Sequence, residues 1–258
     1  MKLASFNING VKARAEVLGR WLDEAQPDVA VLQEIKSVDE NFPRDLIESR
    51  GYQLETHGQK GFNGVAILSK LPLSDVRRGL PGDDSDEQAR WIEAVVGDTG
   101  LRVCGLYLPN GNPTPGPKYD YKLAWMARMQ ARVEALLAEE VPVAFGGDYN
   151  VIPQPMDAAR PDAWREDALF LPQTRAAFRR LERLGLYDAL RLLRPGPGEY
   201  SFWDYQAGAR QRNDGIRIDH WLLTPQAADL LQDCWIETKP RDWEKPSDHT
   251  PIWVELAA

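Results

Sequence analysis

Short apolar runs, four to seven residues long and bounded by turn residues, dominate the polarity pattern of this chain. Runs of that length, built from Val, Ile, Leu and aromatic residues, predict strands rather than helices. Eight stand out: Leu3 to Ile8, Val29 to Leu32, Val65 to Leu68, Trp91 to Val96, Arg102 to Leu108, Val143 to Gly146, Ile218 to Leu223 and Ile252 to Leu256. Helical spacing is rarer. Val17, Leu18, Trp21, Leu22 and Ala25 fall on one face, and Pro27 closes that segment. Tyr121 to Ala138 is the longest helical pattern and ends ahead of Pro142. A third runs from about Thr174 to Leu184, with Gly185 as its C-terminal cap. Strands outnumber helices and several follow one another directly, which favours a mixed sheet or two sheets over regular βαβ winding. The expected fold is α/β, with two packed sheets and helices outside. Pro109 to Pro117 and Pro195 to Gly198 are short enough to be loops, so residues 1–258 are expected to form one domain.

Composition changes this picture little. A chain of 258 residues buries about three quarters of its unfolded surface, which excludes a small stapled scaffold. No run approaches the roughly 20 apolar residues of a membrane span. The start has no long apolar segment and carries Asn7 and Asn9, so a cytoplasmic protein without a signal peptide is expected. Cys104 and Cys234 form no CxxC pair, and both are expected to be buried free thiols.

Charge matters more. With 31 Lys plus Arg against 39 Asp plus Glu, the formal net charge is −8. That balance argues against a nucleic-acid partner unless some carboxylates are gathered around a cation.

Polar residues at the ends of the apolar runs are the candidates for chemistry, because a buried strand delivers them to a sheet rim. Six places qualify: Asn7 with Asn9, Gln33-Glu34, Tyr107 with Asn110, Gly147-Asp148-Tyr149-Asn150, Arg217-Ile218-Asp219-His220 and Ser247-Asp248-His249. In the fourth, Gly146 and Gly147 are read as letting the backbone turn, and alternation as putting Asp148 and Asn150 on one side. A carboxylate beside an amide holds a water from two directions; the plainer reading is a Gly-Asp-Asn turn. His249 needs a partner to fix its tautomer, and Asp219 could supply one. Glu34 and Asp248 offer carboxylates, and Asn7 and Asn9 amide oxygens, of the kind a hard cation takes. Each is equally a rim or turn residue on its own. Tyr107 is either a core aromatic with a wet hydroxyl or a phosphate donor.

Together these signals form a resemblance. SFNING at 5–10, LQE at 32–34, GLYLPNG at 105–111, GDYNV at 147–151, RIDH at 217–220 and KPSDHTPIW at 245–253 resemble the exonuclease III family of abasic-site endonucleases and 3′-to-5′ exonucleases, a branch of the DNase I-like phosphohydrolases. The resemblance implies a four-layered α/β sandwich with its site at one edge of two packed mixed sheets. It implies a divalent metal, Mg²⁺ with Mn²⁺ substituting, among Asn7, Asn9, Glu34 and Asp248, and a phosphate among Asp148, Asn150 and His249, which could hold a second ion. Asp219 matches the carboxylate paired with the catalytic histidine, Tyr107 a phosphate contact, and Asn110 a substrate contact. Either Asp148 or the Asp219–His249 pair could be the base. Phe202 and Trp203 match aromatics of an abasic-sugar pocket, and Ile216 stands where some relatives carry tryptophan.

The implied activities are 3′-to-5′ exonuclease, abasic-site endonuclease and 3′-end phosphodiesterase or phosphatase on duplex DNA with abasic sites, nicks or 3′ ends, by a monomer without a protein partner. Arg160, Arg165, Arg175, Arg179, Arg180 and Arg183 read either as DNA-binding cations or as a solvated helix face, and Arg210, Arg212 and Arg217 near the site are expected DNA-binding cations. The rival readings are a superfamily phosphatase acting on a lipid or small phosphate ester, and a non-catalytic DNA-binding relative.

Overall fold

Among the described residues, twelve strands form two six-stranded sheets, and six helices lie on their outer faces. The structure, a computed structural model, describes residues 1–257. In chain order the elements are β1 (Lys2–Asn7), α1 (Ala15–Ala25), β2 (Val29–Gln33), α2 (Arg44–Glu48), β3 (Gln53–His57), β4 (Val65–Ser69), β5 (Leu73–Arg78), β6 (Trp91–Val96), β7 (Arg102–Tyr107), α3 (Pro117–Leu137), β8 (Val143–Asp148), α4 (Pro172–Arg183), β9 (Tyr187–Asp188), α5 (Ala189–Leu193), β10 (Asp219–Leu223), α6 (Pro225–Ala228), β11 (Leu231–Ile236) and β12 (Ile252–Leu256). One sheet has the order β11-β12-β1-β2-β4-β3, the other β5-β6-β7-β8-β10-β9. Only β1–β2 and β7–β8 pair in parallel among the described strands.

All eight anticipated strands form. The four unanticipated ones, β3, β5, β9 and β11, are the four sheet edges. An edge strand has fewer neighbours to bury it and carries charge that discourages pairing with another chain. Leu-Ser-Asp-Val-Arg-Arg of β5 therefore shows no apolar run.

Central strands are covered on both faces, which makes them continuously apolar. In β2, Val29 and Val31 face Leu3, Ile67, Ile92 and Val103 between the sheets. Ala30 and Leu32 face Leu18 and Trp21 of α1 on the other side. Beyond the second sheet, Cys104, Leu106 and Phe145 meet Trp125 and Met129 of α3 and Phe178 of α4. The result is the expected four-layered sandwich.

Gly146 and Gly147 belong to β8 rather than to a turn. A Cβ on Gly146 would lie 2.4 Å from the Trp221 ring, and one on Gly147 would lie 2.0 Å from the Leu106 carbonyl oxygen. Close approach, not turning, is why glycine stands there.

Cys104 and Cys234 are free and buried, and burial raises both thiols well above their usual pKa. Neither should react with Ellman's reagent in the native protein, and both should react in denaturant; fast native labelling of either would contradict this packing. Among the described residues, no helix is long and apolar enough to cross a membrane.

Candidate active site

The two parallel pairs, β1–β2 and β7–β8, end side by side, and their C-terminal ends carry the polar cluster. In the first sheet Asn7 is level with Gln33, the residue before Glu34. In the second, Tyr107, Asp148 and Asp219 form one row across β7, β8 and β10. Isolated bridges link Ala158 to Ile216, Ile216 to Phe202 and Phe202 to His249, which brings the loop before β12 against that row.

Backbone strain concentrates here. Asn9, Glu34, Lys36 and Asn150 all have left-handed φ, between +47° and +51°. Non-glycine residues persist in that region only where their surroundings hold them, and such positions cluster at functional sites. The strand-alternation argument for Asp148 and Asn150 is thereby corrected. The chain leaves β8 at Asp148, and Asn150 reaches the same opening because its backbone turns left-handed and its N–H donates to Asp148 Oδ1 at 2.9 Å.

Asn7 Nδ2 donates to Glu34 Oε1 and to Asp148 Oδ2, each at 2.9 Å. Its oxygen accepts from the Asn9 N–H at 3.0 Å. Asn7 therefore clamps two acids together and turns its amide oxygen away from them. Asn9 likewise donates to Asp248 Oδ1 at 3.0 Å while its oxygen accepts from Lys36 at 2.6 Å. Lys36 also pairs with Glu34 at 3.0 Å. Across the opening, His249 Nδ1 lies 2.8 Å from Asp219 Oδ2, and its Nε2 lies 3.6 Å from Asp148 Oδ2. Ser201 donates to the same Asp219 oxygen at 2.6 Å. Asn110 Nδ2 donates to Asn150 Oδ1 at 3.2 Å.

These groups border a cleft of about 260 Å³ that exposes Glu34, Tyr107, Asn110, Asp148, Asn150, Phe202, Asp248 and His249. Asn7 and Asp219 are fully buried behind it. Ile216 lines an adjoining cavity of about 340 Å³, which shares Trp164, Asp167 and Phe202 with the cleft.

Burial dominates the electrostatics. It raises Asp148 to about 7, with Asp219 adding to the rise and His249 opposing it. For His249 burial acts downward, but the carboxylates of Asp219 and Asp148 override it and lift the imidazole to about 10. The carboxylates thus favour the protonated ring, which donates from both nitrogens. Burial would also raise Glu34, yet the Asn7 hydrogen bond and Lys36 hold it below the usual carboxylate value. Tyr107 is pushed well above a normal phenol by burial and stays a proton donor.

Several expectations change. Trp203 lines neither cavity; its indole is buried beneath Arg210 and donates to Asn213, so it supports the loop rather than a ligand. Arg217 is wholly buried between Asp157 and Asp188 and offers nothing to DNA. Arg160, Arg165 and Arg210 are paired with Asp214, Asp162 and Asp242. The basic surface is thinner than the arginine count suggests. His220, one position after Asp219, points to the other face, against Tyr149 and Phe178. Ser201, Lys36, Trp164 and Asp167 were missed. Ser201 and Lys36 lie within two residues of sites that were read, and hydrogen-bonding chemistry beside a buried acid was the available signal.

Glu34, Asp148 and His249 each place one ligand atom within 4.8 Å of the others. Two carboxylates bridged by one amide are hard oxygen donors of the kind Mg²⁺ takes, so the residues present fit a divalent ion. Asp248 opens on the same cleft but stands outside that trio.

The profile of the endonuclease/exonuclease/phosphatase family matches residues 4–249. The chain is 39% identical to exodeoxyribonuclease III of Haemophilus influenzae, across 99% of this chain and 100% of that protein. An AP endonuclease from Archaeoglobus fulgidus has a TM-score of 0.95 at 36% identity, with 100% of both chains covered. A 3′ phosphatase, NExo, from Neisseria, bound to a product DNA hairpin, has a TM-score of 0.96 at 34% identity, again with 100% of both covered.

Proposed function

Because the chain belongs to the endonuclease/exonuclease/phosphatase family, we propose that it is a Mg²⁺-dependent DNA-repair nuclease that hydrolyses phosphodiesters of duplex DNA at abasic sites and 3′ ends. One observation carries the reading: Asp148 sits between the Asn7-bridged Glu34 on one side and the Asp219-held His249 on the other. A carboxylate so placed has a negative metal-binding neighbour and a positive phosphate-binding neighbour.

Glu34 and Asp148 would hold a divalent ion, which would supply charge compensation to the phosphodiester and to the departing 3′ oxygen. Asp148 orients a water and takes its proton, while Asn150, fixed by Asn110 and by its own bond to Leu108, holds the second direction of approach. His249 donates from Nε2 to a non-bridging oxygen and counters charge as phosphorus becomes five-coordinate. Asp219, fixed in turn by Ser201, keeps the ring in place. Tyr107 adds a second phosphate donor. Two carboxylates flank His249 and favour its protonated form, which has no lone pair to accept a proton, and this supports Asp148 as the base.

A time course on abasic, nicked, recessed-end and 3′-phosphate duplexes tests this. Cleavage with Mg²⁺ that falls to background with EDTA, and returns with added Mg²⁺, is the expected outcome. Turnover of lipid or small phosphate esters, with every duplex left intact, would favour the superfamily phosphatase instead.

A further inference from the structure

Behind the cleft lies a buried lysine that the mechanism does not use. Lys122 of α3 is 0% exposed, and its ammonium donates to the main-chain oxygens of Asn110 at 3.0 Å and Asn150 at 2.6 Å. Among the described residues it forms no salt bridge. A buried amine is expensive to leave without hydrogen-bond acceptors, so its two carbonyl bonds matter to the structure around them. The neighbouring loop is shaped to admit it. Gly111 has φ +92°, and a Cβ there would lie 2.7 Å from Lys122 Cδ.

The two carbonyls belong to the two residues whose side chains meet in the cleft. Asn110 Nδ2 donates to Asn150 Oδ1. Asn150 is also the left-handed residue whose N–H fixes Asp148 Oδ1. Lys122 thus holds the oxygen side of a residue whose nitrogen side orients the candidate base.

We propose that Lys122 is a positioning residue: it pins the loops after β7 and β8 so that Asn110 and Asn150 face the attacked phosphate and Asp148 is correctly aimed. The inference rests on the nuclease reading for its kinetic effect, but not for its structural one. Lys122 touches no reacting atom, so its loss acts through Asn150 and Asp148. Misplacement on the order of 1 Å in such a constellation costs up to about 100-fold in rate.

The test compares wild type with Lys122→Met, Lys122→Gln and Lys122→Arg, each checked for folding by near-UV circular dichroism and melting temperature. For Lys122→Met we expect kcat on an abasic-site duplex to fall about 10–100-fold with KM within about threefold. Lys122→Arg, which keeps paired donors, should recover most of kcat, and Lys122→Gln should lie between. In ¹⁵N–¹H spectra the amide signals of Asn110 and Asn150 should move in Lys122→Met, while Cys234, in β11, stays in place.

A folded Lys122→Met with kcat within threefold of wild type overturns the proposal. So does a folded Lys122→Arg as impaired as Lys122→Met, or failure of both neutral variants to fold, which would make Lys122 a stability residue only. Wild type inactive on every duplex would count against the nuclease reading instead, and the Asn110 and Asn150 signals would then decide the Lys122 claim alone.

Discussion

Asp148→Asn should lower single-turnover cleavage of an abasic-site duplex by about 10²–10⁴-fold while leaving DNA affinity within a few-fold. The substitution keeps the size of the side chain and removes the carboxylate that both opens on the cleft and faces His249 Nε2. Asn7 loses one of its two carboxylate acceptors, and His249 keeps Asp219 but loses its second counter-charge. Binding survives because Tyr107, His249 and the cleft walls remain. Fluorescence anisotropy would measure affinity and quenched-flow gels the rate. A rate within tenfold of wild type would move the base elsewhere in the cleft.

The second large effect concerns stability. Arg217 is fully buried and donates to Asp157 at 2.7 Å and to Asp188 at 3.0 and 2.8 Å. Arg191 reaches Asp157 as well, but Asp188 has no other ion-pair partner among the described residues. Arg217→Met strands a buried carboxylate, and breaking such a pair from one side costs about 3–5 kcal/mol. In a chain of this size that lowers the melting temperature by roughly 6–20 °C.

The pH dependence follows from the carboxylates. Burial pushes Asp157 and Asp188 up, but Arg217 overrides it and holds both below the ordinary 3.8. Their contribution is therefore fully present above that value and is lost as pH falls through the lower folded values. Arg217→Met should lose this acid-side stability while the wild type retains it to lower pH. Pairing Arg217→Met with Asp188→Asn should restore part of the loss. A melting temperature within 2 °C of wild type would show that the network carries little energy.

Arg217 also shows where sequence reading stops. As one of several arginines near RIDH it counts as a DNA cation, because composition gives a charge but not its partner. Asp157 and Asp188 lie 60 and 29 residues away; the packing of β9 beside β10 brings Asp188 to it, and the bridge between Ala158 and Ile216 brings Asp157. Asp148, Asp219 and His249 were legible for the opposite reason. Each stands at the end of a central strand that carries an apolar run, or just before one, so its position follows from local pattern. Edge strands such as β5 lack that pattern because water and charge replace one neighbour. Trp203 and Phe202 are adjacent aromatics that the chain alone does not distinguish; alternation sends Phe202 to His249 and Trp203 into the interior. Asn150 reached the right place for a reason that strand alternation does not contain, a left-handed residue held by Asp148 and Lys122.

This one cleft, with a divalent ion, is proposed to hydrolyse a DNA phosphodiester. The most direct measurement is incision of an end-labelled duplex carrying a single abasic analogue, run with wild type and Asp148→Asn in parallel, with Mg²⁺ and with EDTA. A product band at the analogue is expected for wild type with Mg²⁺ only, and at most about one hundredth of that rate for Asp148→Asn. Equal incision by the two proteins, or incision by wild type undiminished in EDTA, would contradict it.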